Sequence, residues 1–240
     1  MKLNNQVWAF IPARSGSKSI KNKNIVILKK KPLLAYSLLT AKKCKNIDKI
    51  IFSSDSTKYF NIAKKYANIF FHKRKKNISS DKSTDFQVFN DFVHNFNDTL
   101  PRFFVHLRPT TPFRDSRILD KIIEQFKKKE KKFSSLRSVG AMINPVSKSV
   151  IIKKGKLFSP IFKSFSLDKI NNPRQKYLKS YLPNGYIDII KTKSIFKGFL
   201  HGNRVMPYIN QRFVADIDSL FDLKIASFLS HDKNNKNYYK

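Results

Sequence analysis

Hydrophobic positions along the chain fall into short unbroken blocks separated by longer amphipathic ones. Val7–Pro12 is a continuous apolar run of strand length, and residues 47–53, 103–107 and 186–190 are three more strand-length blocks, predominantly apolar with single or paired polar positions. Blocks of this length without polar alternation predict strands buried on both faces. Between them, residues 33–43, 57–66, 85–96 and 115–131 carry apolar side chains at helical spacing. Phe86, Phe89, Val93 and Phe96 fall on one side of the third helix, Pro32 suits the start of the first, and Asp115 or Ser116 suits the N-cap of the last. A short strand is expected at 69–71. Strand and helix in alternation predict an α/β fold, a mostly parallel, doubly wound sheet.

The rhythm changes after residues 134–139. Residues 144–182 hold short β-like pieces, a Lys154-Gly155 turn and no convincing helix, so the expectation is an inserted β-rich region of the kind that forms a dimer interface. The core then resumes at 186–190, with a last strand at 213–217 and a closing helix at 219–229. The organisation expected is therefore an α/β core from 1–143 and 183–230, an insertion at 144–182, and a frayed tail at 231–240.

Composition narrows the class. Hydrophobic residues make up 41% of the 240, with 22 Phe, enough for a real core and too many for wholesale disorder. Cys44 is the only cysteine, which excludes an internal disulfide and a cysteine-based metal site and suits a cytoplasmic location. The run at 7–11 is far too short for a signal-peptide core or a membrane span. The net charge of +33 points towards polyanions, yet only 10 of the 49 basic residues are Arg and the 39 Lys occur in almost every segment. Specific nucleic-acid recognition leans on Arg forks gathered in a patch. A dispersed lysine coat predicts non-specific nucleic-acid binding at most.

Candidate chemistry lies where strands end. The stretch Ile11-Pro12-Ala13-Arg14-Ser15-Gly16-Ser17-Lys18 lacks the ending of a Walker loop and the spacing of a dinucleotide fingerprint. It still has the parts of a phosphate cradle: Gly16 for close backbone approach, Ser15 and Ser17 as donors, Arg14 and Lys18 for charge. Asp216 and Asp218 stand two apart. On a strand their carboxylates would share a face and offer hard oxygen ligands to Mg²⁺; alternatively, Asp218 simply caps the closing helix. Taken in isolation, Pro183-Asn184-Gly185 reads as a turn, Arg114 and Arg174 as surface charges, Asp55 as a helix cap, and Phe199 as either core or sugar contact. His72, His94, His106, His201 and His231 show no ligand spacing and suit structural or solvent-facing roles.

Residues 11–25, IPARSGSKSIKNKNI, closely resemble the signature of the acylneuraminate cytidylyltransferase (CMP-sialic acid synthetase) family, with Ser15 and Ser19 where Gly is usual. Leu107-Arg108-Pro109-Thr110-Thr111-Pro112-Phe113-Arg114 resembles its Pro-Thr-Ser-Pro-Leu-Arg element. Asn172-Pro173-Arg174-Gln175 resembles Pro-Arg-Gln, and Pro183-Asn184-Gly185 matches Pro-Asn-Gly. Asp216-Ile217-Asp218 falls where the metal-binding Asp-Ile-Asp lies. The five elements stand in family order across nearly the whole chain.

The resemblance implies a Rossmann-like sheet with an inserted dimerisation region, a homodimer, and transfer of CMP from CTP to an acidic nine-carbon sugar with Mg²⁺ on Asp216 and Asp218. Ala13, Arg14, Ser15, Gly16, Lys18 and Asn24 would hold the phosphates, and Arg74 and Ser80 the cytosine and ribose. Arg14 and Lys18 would also neutralise the leaving pyrophosphate. Sugar contacts would come from Arg108, Arg174, Asn184, Asp188 and Phe199. Arg108 replaces the family's Gln, and Tyr186-Ile187-Asp188 replaces Ala-Ile-Tyr, so these two charges are expected either to pair or to place Arg108 on the sugar carboxylate. Two alternatives stay open: a cytidylyltransferase for an eight-carbon acid sugar of lipopolysaccharide, and an inactive basic relative that binds nucleic acid.

Overall fold

Strand β1 (Val7–Pro12) sends alternate side chains into two separate cores. Val7, Ala9 and Ile11 enter one and Trp8 and Phe10 the other, as the period of two along a strand requires. That is why its run is apolar throughout. The computed structural model describes residues 2–162 and 166–231. After β1 come a small hairpin, β2 (Ile27–Leu28) and β3 (Lys31–Pro32), then α1 (Leu33–Lys43), β4 (Lys49–Ser54), α2 (Thr57–Ala63) and β5 (Phe70–Lys73). Helix α3 (Asp85–Asn95), β6 (Phe103–His106), α4 (Ser116–Lys129) and β7 (Ser135–Ala141) complete the first part. The later part holds β8 (Ile151–Lys153), β9 (Lys156–Phe158), α5 (Leu167–Ile170), β10 (Tyr181–Lys191), α6 (Thr192–Phe196), β11 (Val205–Ile209) and α7 (Leu220–His231).

Seven strands form one sheet in the order β11-β7-β10-β6-β1-β4-β5. All neighbours run parallel except β10, which is antiparallel to both β6 and β7. One face packs against α1, α2 and α4 through Leu34, Leu38, Tyr59, Ala63, Ile122 and Phe126. The other packs against α3 and α6 through Val88, Phe89, Phe92 and Ile195. A layer of helices on each face explains the near-continuous hydrophobicity of the central strands. Helix α3 opens with a capping box in which Thr84 and Gln87 satisfy each other's backbone N–H, and Asp115 caps α4 as expected.

Residues 142–162 and 166–180 leave the sheet. They hold the exposed β8–β9 hairpin, whose turn uses left-handed backbone at Lys154 (φ 48°) and Gly155 (φ 71°), and the short helix α5. That helix, one turn with a Ser166 cap, is too short to show a period in the sequence.

Two expectations are corrected. Residues 213–217 are not a strand; the final strand of the sheet is β11, at its edge, and Asp216 lies on an extended connection beyond it. Ile217 buries there against Ile20, Leu28, Leu33 and Ala226, a third small cluster, and its N–H bonds to Thr110 O at 2.9 Å. A buried Ile and an extended backbone mimic a strand without a ladder. Pro183-Asn184-Gly185 is not a free turn but a bulge within β10: Pro183 pairs with Val139 and Asp188 with Arg137, so the strand swells between them. Gly185 adopts φ 67°, and a Cβ there would stand 2.9 Å from Thr111 Oγ1. The bulge thus brings β10 against the 110–114 loop in a way only glycine allows. The tail beyond His231, expected to fray, lies outside the described residues.

Candidate active site

A cleft of about 520 Å³ opens beyond the carboxyl ends of β1 and β6. These two strands are neighbours where the chain order reverses, the position at which open α/β sheets bind ligands. Its floor is the loop after β1. Ala13 N–H donates to Ser53 O at 2.8 Å, and Ser54 Oγ donates to Ala13 O at 2.7 Å. Ser15 donates twice to Asp55, and Asn24 Nδ2 donates to Arg14 O at 2.9 Å. Asp55 therefore anchors the loop, while Ser56 is the cap of α2. Arg14 and Lys18 reach the cleft above this scaffold. Lys18 pairs with Asp81 at the rim, a solvent-exposed contact that a phosphate can displace at little cost. Ser80 also lines the cleft, near Ser83.

Lys23, which the sequence reading passed over, lines the cleft and places Nζ 2.8 Å from Asp218 Oδ1. Its side chain is only 13% exposed. The stretch 11–24 did contain two cations besides Arg14 and Lys18, namely Lys21 and Lys23; the position of Lys23 next to Asn24 was the available signal.

Asp218 lines the cleft; Asp216, two residues before it, is not among the lining residues. Surrounding protein raises the pKa of Asp216 by desolvation and the charge of Asp218 raises it further, against a hydrogen bond from the Thr110 side chain. The two carboxylates thus feel each other, which is the electrostatic condition a shared cation relieves. Both offer hard oxygens and fit Mg²⁺ by donor chemistry. Among the described residues no group of three or more His, Cys, Asp or Glu is placed to hold a metal ion, so an ion here would complete its shell with phosphate oxygens and water.

The opposite wall carries Arg108. Its Nη1 lies 2.9 Å from Asp188 Oδ2 and its Nη2 lies 2.7 Å from Asp85 Oδ2. Of the two expectations for Arg108, pairing with Asp188 is the one seen, and Asp85 at the start of α3 is a second partner the sequence did not reveal. Burial works to lower the pKa of Arg108, but the two carboxylates outweigh it and the net shift is upward. Asp188 is 1% exposed, with Arg137 Nε at 3.5 Å and His106 Nδ1 at 4.0 Å. Burial pushes His106 down to about 3, so it is neutral at physiological pH.

Arg114 is no surface charge. It is buried, donating to Tyr186 O at 2.6 Å, Gly185 O at 2.9 Å, Arg108 O at 3.0 Å and Ser37 Oγ at 3.0 Å, and desolvation lowers its pKa to about 9. It ties the Arg108 loop to the β10 bulge. Asn184 Oδ1 accepts from Tyr186 N–H at 3.2 Å within that bulge. Arg174 and Phe199 are not brought to the cleft. Arg174 lies in a helical turn after α5 and borders a separate hollow with Ile143, Tyr177 and Tyr181, while the Phe199 ring lies against Gly202 after α6.

The Cytidylyltransferase family model matches residues 8–176, which includes the β1 loop, Arg74, Ser80 and Arg108. The chain belongs to that family. This cytidylyltransferase is 32% identical to the N-acylneuraminate cytidylyltransferase of Escherichia coli, across 95% of this chain and 53% of that protein. It is 29% identical to the CMP-N,N'-diacetyllegionaminic acid synthase of Campylobacter jejuni, across 95% of this chain and 97% of that one. The chain thus spans about half the length of the Escherichia coli relative and nearly all of the Campylobacter jejuni one. A solved structure titled CMP:2-keto-3-deoxy-manno-octonic acid synthetase complexed with CTP superposes with a TM-score of 0.65, covering 95% of this chain and 99% of that one. At 12% identity that likeness establishes the fold.

Proposed function

We propose that this cytidylyltransferase transfers CMP from CTP to the anomeric hydroxyl of a nonulosonic acid, an acidic nine-carbon sugar, and releases pyrophosphate. The observation that carries the reading is the convergence of Arg14, Lys18, Lys23 and Arg74 on one cleft with Asp218 at its edge. These four, with Arg108 on the opposite wall paired to carboxylates, put five cations round an opening of about 520 Å³, which suits a nucleoside triphosphate, and the relatives named above supply the sugar class.

The anomeric oxygen attacks the α-phosphorus, a new P–O bond forms, and the bond to the β-phosphate oxygen breaks. Pyrophosphate leaves with that electron pair, and the hydroxyl proton passes to solvent. Arg14 and Lys18 bind the β- and γ-phosphates and neutralise the charge that grows on the leaving group. The β1 loop is pinned by Asp55 and Asn24, so its backbone N–H groups are set before substrate arrives. Asp216 and Asp218 would hold Mg²⁺, which when bound supplies positive charge to the reacting phosphate oxygens. Lys23 fills that role towards Asp218 in the free protein. Arg74 and Ser80 hold the cytosine and ribose end.

The working unit is a homodimer built on residues 144–182. Ile152 and Leu178 there are 74% and 87% exposed, Ile143 at its edge is 81% exposed, and Leu157, Phe158, Ile161 and Phe162 are exposed apolar side chains of the same region. Such a surface on a monomer is a liability that a second copy removes. Arg174 sits within this region, away from its own cleft. No helix among the described residues is long and apolar enough to cross a membrane, and the cytoplasm, where CTP is made, is the compartment proposed.

The test is pyrophosphate release from CTP with Mg²⁺ and a panel that includes N-acetylneuraminate and N,N'-diacetyllegionaminic acid. Release that depends on one of these sugars supports the reading; none with any of them, or equal release from ATP, refutes it. Sedimentation at micromolar concentration that shows only monomer refutes the dimer.

A further inference from the structure

Arg74 is the least exposed of the cations that line the cleft. It is 8% exposed, and its Nη2 has no hydrogen-bond partner. Burial lowers its pKa, but only to about 10, so it stays charged near neutral pH. A buried guanidinium with a donor left over is costly unless something fixes it and a ligand completes it. What fixes it is a chain of three side chains. Arg74 Nε donates to Ser53 Oγ at 2.8 Å, Ser53 Oγ lies 2.9 Å from His72 Nδ1, and His72 Nε2 lies 3.0 Å from Asp91 Oδ2.

The protons along this chain have one consistent arrangement when His72 is neutral. Arg74 can only donate and ionised Asp91 can only accept. His72 therefore carries its proton on Nε2, its Nδ1 accepts the Ser53 hydroxyl proton, and Ser53 Oγ keeps a lone pair for Arg74. We propose that Ser53, His72 and Asp91 are positioning residues that aim Arg74 at the nucleotide in the cleft, resting on the reading that this site binds CTP.

The surroundings favour the neutral imidazole. Ser53 is fully buried at the end of β4, and the His72 ring packs on Phe10 of β1 and Phe92 of α3. The charged groups facing His72 are Asp91 on α3 and, after β5, Arg74 and Lys75; Lys75 Nζ occupies the second Asp91 oxygen at 3.0 Å. Burial lowers the His72 pKa, Asp91 opposes, and the two cations lower it again. Protonating Nδ1 would turn a second donor on Ser53 Oγ, displace its hydroxyl proton from the hydrogen bond it now makes, and add a positive charge beside Arg74. Acid that protonates Nδ1 thus loosens the aim of Arg74.

Two measurements on the full chain decide the proposal. The first is NMR of the ¹⁵N-labelled protein at neutral pH without nucleotide. It should show His72 as the Nε2–H tautomer and a protected Arg74 Nε–H resonance that Ser53→Ala abolishes. An Nδ1–H tautomer, or an Arg74 resonance indifferent to Ser53→Ala, overturns the relay whatever the enzyme's substrate is.

The second is steady-state kinetics. Ser53→Ala and His72→Phe should raise the KM for CTP about tenfold, with kcat and the sugar KM within about threefold. His72→Asn, whose amide oxygen stands where Nδ1 does, should keep a near-normal CTP KM and lose the rise in KM that wild type shows in acid. Loss confined to kcat, or a wild-type acid limb that persists in His72→Asn, overturns it too. A wild-type chain that neither binds nor turns over CTP sinks the functional reading alone, and the NMR result still decides whether the relay holds Arg74.

Discussion

Ser15 is held to Asp55 by both of its donors, the backbone N–H at 2.8 Å and the hydroxyl at 2.6 Å. A carboxylate at the end of one strand thereby sets the loop that leaves its neighbour. Removing it should free the loop without touching either core. Asp55→Ala is expected to lower kcat/KM for CTP about tenfold while the melting temperature falls only slightly. Kinetics beside a thermal melt checks this; an unchanged kcat/KM would show that the loop keeps its shape unaided.

Asp216→Asn and Asp218→Asn should each remove most activity and leave the fold intact. Loss of one hard ligand weakens Mg²⁺ and the charge it supplies, at about 3 kcal/mol in the barrier or roughly a hundredfold in rate. Asp216 should be the more sensitive to magnesium concentration, because Asp218 already has Lys23 as a partner. Titrating Mg²⁺ in both variants measures the difference. Wild-type turnover at saturating magnesium in both would mean that the pair is only structural.

Arg108→Gln leaves Asp188 buried with Arg137 at 3.5 Å as its nearest cation. Stability should drop by about 3 kcal/mol in denaturant titration. The double variant Arg108→Gln/Asp188→Tyr removes both charges and should recover much of that loss. If Arg108 also shapes the sugar site, as its place on the cleft wall suggests, the ratio of kcat/KM values between nonulosonic acids should shift in the single variant. A uniform loss for all sugars would confine Arg108 to the scaffold.

His106 gives the fold a pH dependence with a definite sign. Its folded-state pKa is depressed to about 3 from an ordinary 6.5, so below 6.5 the unfolded chain takes up a proton that the folded chain refuses. Stability from this group is complete above that value and falls as acid is added, by about 1.4 kcal/mol per pH unit, until the folded-state value is reached. Between pH 7 and pH 5 the wild type should lose about 2 kcal/mol more than His106→Phe. Equal losses in urea titrations at the two pH values would show that His106 takes up its proton in the fold as readily as in the unfolded chain.

The strands and helices were legible because each central strand is buried on two faces and each helix on one. The β1 loop was legible because its residue types are few and contiguous. Asp85 and Asp55 escaped because their partners lie far off in sequence, and an aspartate at a helix start is fully explained as local. Arg114 was misjudged for a related reason: its acceptors are mostly backbone carbonyls of the 108–111 loop and the β10 bulge, and carbonyls leave no mark in a sequence. The extended 213–217 segment imitates a strand because Ala215 and Ile217 are buried in alternation, yet they bury against α1 and α7 rather than in the sheet.

That last feature has a consequence for the order in which the enzyme is made. When β11 emerges during synthesis, every strand of the sheet already exists, and both main cores can close. The cleft at that moment has its cations and lacks Asp216 and Asp218. The carboxylates arrive on the segment that Ile217 fastens against Ala226 of α7, so that edge of the cleft is fixed only when the last helix docks.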